Sequence, residues 1–307
     1  MKRACASILD RLHRGGKGVL APAILGALAL AGCAQEAVQE QPAPSPLLYE
    51  ITGPQGDVEG WMLGTIHALP DGVDWRTDAI DRVIDDADLL VVEIAELDDR
   101  EKIAAIFVEL ALSPGLPALE QRVSPSERPA LLDLVRRAGR SADEFTATET
   151  WAAAFMLAQV GAQGDPENGV DRIVIREFAN RDVREFEGAV DQLTIFDTLP
   201  EEDQREMLSG VVEESTSLKD DPGRLRRAWL TGNIEALELA TTTGVMEDAE
   251  LRAAILINRN RNWIRKLSAM LRAPEKPLVA VGAAHLVGED GLPELLEERG
   301  YTVRSLH

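Results

Sequence analysis

Trp61-Met62-Leu63-Gly64-Thr65-Ile66-His67 carries apolar residues into a glycine and reaches a histidine three positions later. Pro277-Leu278-Val279-Ala280-Val281-Gly282-Ala283-Ala284-His285 does the same near the other end of the chain. A short, unbroken apolar run of this kind reads as a strand buried on both faces. The glycine is read as the point where the chain turns sharply out of the sheet. A histidine just beyond a strand's carboxyl end lies where open α/β sheets gather their ligands.

Working outward, Leu47–Ile51 and Val58–Leu63 flank Thr52-Gly53-Pro54-Gln55-Gly56-Asp57 and predict a hairpin. Helical periodicity over 75–86, with Ile80, Val83 and Ile84 on one side, leads to the apolar strand Leu89–Val92, which ends in Glu93. From Arg100 onward the pattern is helical to about residue 270, interrupted by a short strand at 181–187. Ser124 to Glu127 supply an expected helix start, with Pro125 in the first turn. A helix at 291–299 and a strand at 301–305 follow the second motif. The expectation is an α/β fold whose central sheet comes from two βαβ-like halves at the ends of the domain. A large helical insertion separates them, and the two histidines meet at one edge.

The chain of 307 residues opens with Lys2, Arg3, Arg11, Arg14 and Lys17, then an apolar stretch over 19–30. That stretch is short for a membrane span and reads as a signal-peptide core. Leu30-Ala31-Gly32-Cys33 resembles the lipobox of bacterial lipoproteins, which implies a signal peptide over 1–32 and lipid on Cys33. Residues 33–46, with Pro42, Pro44 and Pro46, read as a flexible tether, and 47–307 as the folded domain. Ala34 after the cysteine is, by resemblance to Gram-negative lipoproteins, compatible with an outer-membrane anchor facing the periplasm.

Cys5 and Cys33 both precede the domain, so neither a disulfide nor a thiol ligand belongs to it. The net charge of −21 becomes −25 once the five bases and one acid of residues 1–32 are removed. Such a surface repels phosphate backbones and excludes nucleic acid as a partner.

The chemistry rests on few residues, since only three histidines follow residue 32. His67 and His285 can ligate a divalent metal or shuttle protons. Glu93, at the end of a buried strand, needs a metal, a cation or hydrogen bonds, and Arg259 is the obvious ionic partner. Asp171 and Glu187 are candidates for orienting the histidines, against ordinary readings as a helix-start acid and a solvated strand end. Arg259 and Asn260 stand in a polar run that suits either a solvated helix face or a grip on substrate or Glu93.

The two Gly-x-x-His segments, the acid-ended strand Leu89–Glu93, Arg259-Asn260 and Gly288-Glu289-Asp290-Gly291-Leu292 resemble, in order, the TraB/GumN family over about 47–305. Its animal relatives are the TIKI metalloproteases. That resemblance implies His67, Glu93 and His285 as ligands of a divalent metal, manganese or cobalt, with zinc as a further option. It also implies a hydrolase acting on a peptide or a small molecule. Kinship with haem-binding lipoproteins and with erythromycin esterases leaves two other roles open. One is a ligand-binding lipoprotein without turnover. The other is a metal-free hydrolase that uses a histidine and Glu93 as acid and base.

Overall fold

A computed structural model describes residues 43–160, 164–217 and 221–306. Six strands form one sheet: β1 (Leu48–Thr52), β2 (Val58–Thr65), β3 (Leu89–Val92), β4 (Asp182–Glu185), β5 (Pro277–Gly282) and β6 (Thr302–Ser305). Their spatial order is β4-β3-β5-β2-β1-β6. β4, β3, β5 and β2 run parallel, whereas β1 is antiparallel to both β2 and β6. The fold is therefore α/β, and the described residues belong to one compact unit spanning Pro42–His307.

Composition follows position in the sheet. β3 is buried throughout and β5 nearly so, because helices cover both faces and parallel strands of this kind read as unbroken apolar runs. The edge strands β4 (DVRE) and β6 (TVRS) carry charge and exposed residues, which protects their free edges from pairing with other chains.

The two halves interleave. The helix Asp78–Asp86 carries the chain from β2 to β3 past an intervening gap, and β5 fills that gap more than 180 residues later. This crossover helix starts with the Thr77 hydroxyl accepting from Ile80 N and buries Ile80, Val83 and Ile84. In register, Gly64 of β2 pairs with Val281 of β5, and Thr65 with Gly282.

Gly64 does not make the expected turn; at Gly282 the chain does leave the sheet for a 3-10 turn, but with a backbone that any residue adopts. Gly64 lies inside β2 and Gly282 closes β5, and neither has a positive φ. Both permit close approach instead: a Cβ on Gly64 would sit 3.2 Å from Leu47 and 3.3 Å from Ala283.

The middle of the chain is helical, and it has a core of its own. Trp151, Phe145, Leu208 and Leu251 belong to that second apolar cluster, while the sheet and its covering helices form the first. The helix Arg128–Arg137 begins after Glu127 with no side-chain cap, and the proline in its first turn is Pro129 rather than Pro125. Among the described residues no helix is long and apolar enough to cross a membrane. The expected signal peptide, Cys33 and the first part of the tether lie outside the described residues.

Candidate functional site

Four parallel strands end at one edge of the sheet, and each delivers a polar residue there. β2 leads to His67, β3 to Glu93, β4 to Glu187 and β5 to His285. Two helices complete the ring: Val170–Glu177 contributes Asp171 from its first turn, and Asn258–Met270 contributes Arg259 and Asn260.

His285 is buried, and its orientation can be read from its neighbours. Its Nδ1 lies 2.6 Å from Asn260 Oδ1. The Asn260 amide nitrogen donates to the Asp290 carbonyl at 2.8 Å, which fixes the oxygen toward the ring. Nδ1 therefore carries the proton, and Nε2 keeps its lone pair on the side of Arg259 Nη1 (3.4 Å) and Glu93 Oε1 (3.9 Å). The ring packs on Trp263 with centroids 4.3 Å apart. Burial drives the His285 pKa down to about 3, so the imidazole is neutral near pH 7.

Glu93 is fully committed. Oε1 accepts from Gly282 N at 2.9 Å, while Oε2 accepts from Arg259 Nη2 at 2.7 Å and from Gln192 Nε2 at 3.0 Å. A Cβ on Gly282 would stand 3.3 Å from the carboxylate, so a glycine here lets the acid reach the strand's N–H. Burial alone would raise the Glu93 pKa, but Arg259, His67 and the Gly282 N–H outweigh it and hold it well below the ordinary carboxylate range. With His285 neutral, Arg259 and His67 are the cations that keep Glu93 ionised.

Arg259 is only 5 % exposed and binds two acids. Its Nε donates to both Glu187 oxygens at 3.2 and 3.0 Å, and Trp263 Nε1 donates to the same carboxylate at 2.8 Å. Glu187 is thus a buried counter-ion rather than a solvated strand end. The arginine's Nη1 also donates to the Ile255 carbonyl, in the π-helical segment Ala253–Ile257 that precedes its helix. Segments of that type recur where a helix must place a side chain off the regular register.

His67 differs from His285 in being 73 % exposed. Its Nδ1 lies 2.5 Å from Oδ2 of Asp171, which is buried. Gly169 makes the pairing possible, because a Cβ there would collide with the His67 carbonyl at 2.4 Å. One residue on, Val170 N donates to the Ile66 carbonyl at 2.9 Å, locking loop to helix. The hydrogen bond to Asp171, together with that residue's charge, raises the His67 pKa to about 9. Solvent around the exposed ring screens the charge part of that coupling.

Thr65, His67, Glu93, Asp171 and Gln192 line a cavity of about 50 Å³, together with Ile94 and Leu97. That is room for a water or two. The Thr65 hydroxyl is buried there with no hydrogen-bond partner among the described residues.

The structure thus gathers all seven sequence candidates at one sheet edge. It adds Gln192, Thr65 and Trp263, which ordinary composition concealed. Of these, only Thr65 lies within the first Gly-x-x-His segment.

Fit to a metal is partial. Both imidazoles hold Nδ1 against an acceptor, the arrangement typical of metal-binding histidines. Only His67 leaves Nε2 open, since that of His285 faces the Arg259 guanidinium. Glu93, however, spends both oxygens on Arg259, Gln192 and Gly282. Among the described residues no three His, Asp or Glu side chains gather as one ligand set. As arranged, the residues do not fit a three-ligand metal centre.

The chain is similar to proteins titled "Uncharacterized protein YbaP" from Shigella flexneri and from Escherichia coli (strain K12). Each is 25 % identical over 256 residues, covering 80 % of this chain and 90 % of theirs. No solved structure matches it significantly. The family model described as "TraB/PrgY/gumN family" matches residues 47–305, the span that contains the whole sheet and every residue of the site, and so the chain belongs to the TraB/PrgY/gumN family.

Proposed function

We propose that the protein is a peptidase-like hydrolase of the cell envelope, working at the cavity between His67 and Glu93. The observation that carries this reading is the His67–Asp171 couple. An exposed imidazole is anchored through Nδ1 on a buried carboxylate at the lip of a polar cavity. In its neutral form His67 offers Nε2 as a general base to a water in that cavity, and Asp171 stabilises the imidazolium that results. The unpartnered Thr65 hydroxyl is placed to hold that water or a substrate carbonyl. Arg259, fixed between Glu93 and Glu187, helps keep Glu93 ionised and the far wall rigid.

A divalent cation is the second reading, favoured by the open Nε2 of His67 but requiring Arg259 to release the Nε2 of His285. Manganese, cobalt or zinc would be held by His67 and His285, and Glu93 would join only by giving up Arg259. Bound, such an ion would polarise a carbonyl or acidify a water.

The envelope location rests on the sequence: a signal peptide over 1–32, lipid on Cys33 and an outer-membrane anchor facing the periplasm. The test is cleavage of a quenched peptide library by the purified full chain, with and without chelator, beside His67→Ala. A loss of 10²- to 10⁴-fold in kcat on removing the base, with thermal stability kept, is expected. Unchanged cleavage by His67→Ala sinks the reading, and abolition by chelator selects the metal-dependent form.

A further inference from the structure

Beside the reaction cavity lies a larger groove of about 460 Å³. The two spaces share Ile94, Leu97 and Gln192, so one opens along the wall of the other. Gln192 joins them: its amide donates to Glu93, and its own helix, Ala189–Asp197, lends Leu193 to the groove.

The opposite wall is the helix Arg100–Leu110, which supplies Ile103, Ala104, Phe107 and Val108. Despite that composition the helix buries no residue, and Val108 is 55 % exposed. Apolar surface left open on so acidic a protein marks a place where something binds. Among the described residues the groove offers no unpaired cation to an anionic ligand. Arg100 is bonded to Glu167, and Arg172 to Asp98 and the Leu97 carbonyl. What it offers is mostly contact area for an uncharged apolar group, its polar lining being the two ion-paired arginines and Gln192, which stands where the groove meets the cavity. A peptide presents that order, a polar backbone beside a bulky side chain.

We infer that this groove is the substrate subsite for large apolar side chains of a peptide, seating them so that the adjoining backbone reaches His67. The chemistry rests on the hydrolytic reading of the cavity, whereas the binding does not.

The test therefore measures both. Calorimetry on the full chain carrying Cys33→Ser, kept free of detergent, compares acetyl-Gly-Phe-Leu-Gly-amide with acetyl-Gly-Ser-Asn-Gly-amide. Cleavage of quenched peptides containing the same two cores is followed in parallel. At least tenfold tighter binding and at least tenfold higher kcat/KM for the Phe-Leu peptides are expected. Ala104→Glu and Val108→Glu, at exposed positions that leave the core untouched, should erase both preferences while Tm stays constant. Preferential binding without cleavage keeps the groove and defeats the hydrolase. Cleavage indifferent to the apolar pair, equal binding of the two peptides, or preferences that survive both variants overturns the groove. Octanoate displacing the Phe-Leu peptide from wild type, with no peptide preference in cleavage, assigns the groove to acyl chains and also overturns it.

Discussion

His67 and His285 share a motif but not an electrostatic state. Asp171 raises the pKa of one to about 9, and burial lowers that of the other to about 3. If neutral His67 is the base, its working fraction grows as pH rises through the raised pKa, so kcat/KM should climb from pH 7 toward 9. Asp171→Asn removes the hydrogen bond and the charge that raise the pKa. The expected outcome is a rate profile whose midpoint falls toward the ordinary histidine range near 6.5, with a lower plateau because imidazolium is less stabilised. Measuring kcat/KM from pH 5.5 to 9.5 for both proteins checks this, and an unmoved midpoint argues against the couple. The sequence showed where these two rings would stand, because apolar runs ending in Gly-x-x-His say so directly. It offered Asp171 as a candidate for orienting a histidine without saying which, and gave Asn260 no such role; the two come from helices 104 residues after one ring and 25 residues before the other.

At the scale of elements, the helix Asn258–Met270 acts as a clamp through one side chain. Arg259 ties the ends of β3 and β4 together by pairing with Glu93 and Glu187, both nearly buried. Replacing it with leucine leaves two carboxylates buried without a counter-charge, and a loss of about 3–5 kcal/mol is expected in urea unfolding. A loss under ~1 kcal/mol would mean that water already reaches the pair. The strands were legible because central strands read as Val/Leu/Ala runs and edge strands as charged ones. Their order was not: the apolar pattern is the same whether β3 lies next to β2 or next to β5. Periodicity also reports a side chain's period rather than what it meets, so the motif glycines looked like turns. The real reason for each is a neighbour from another segment.

For the whole molecule, the anchor is the property to settle first. Wild type should sediment with membranes and Cys33→Ser should appear in the soluble periplasmic fraction; a soluble wild type removes the lipid. The sheet adds a geometric consequence. β1 runs against its neighbours, so the chain enters the domain beside Leu63 and Gly64, at the same edge as the histidines. Ser45 N is already bonded to the Leu230 carbonyl, so the tether is residues 33–44, which pulled straight reach about 40 Å at roughly 3.3 Å each. With lipid on Cys33, the leash is fastened at the mouth of the candidate site rather than at its back. The protein then works as a grazing animal on a short rope, confined to what grows close to the bilayer.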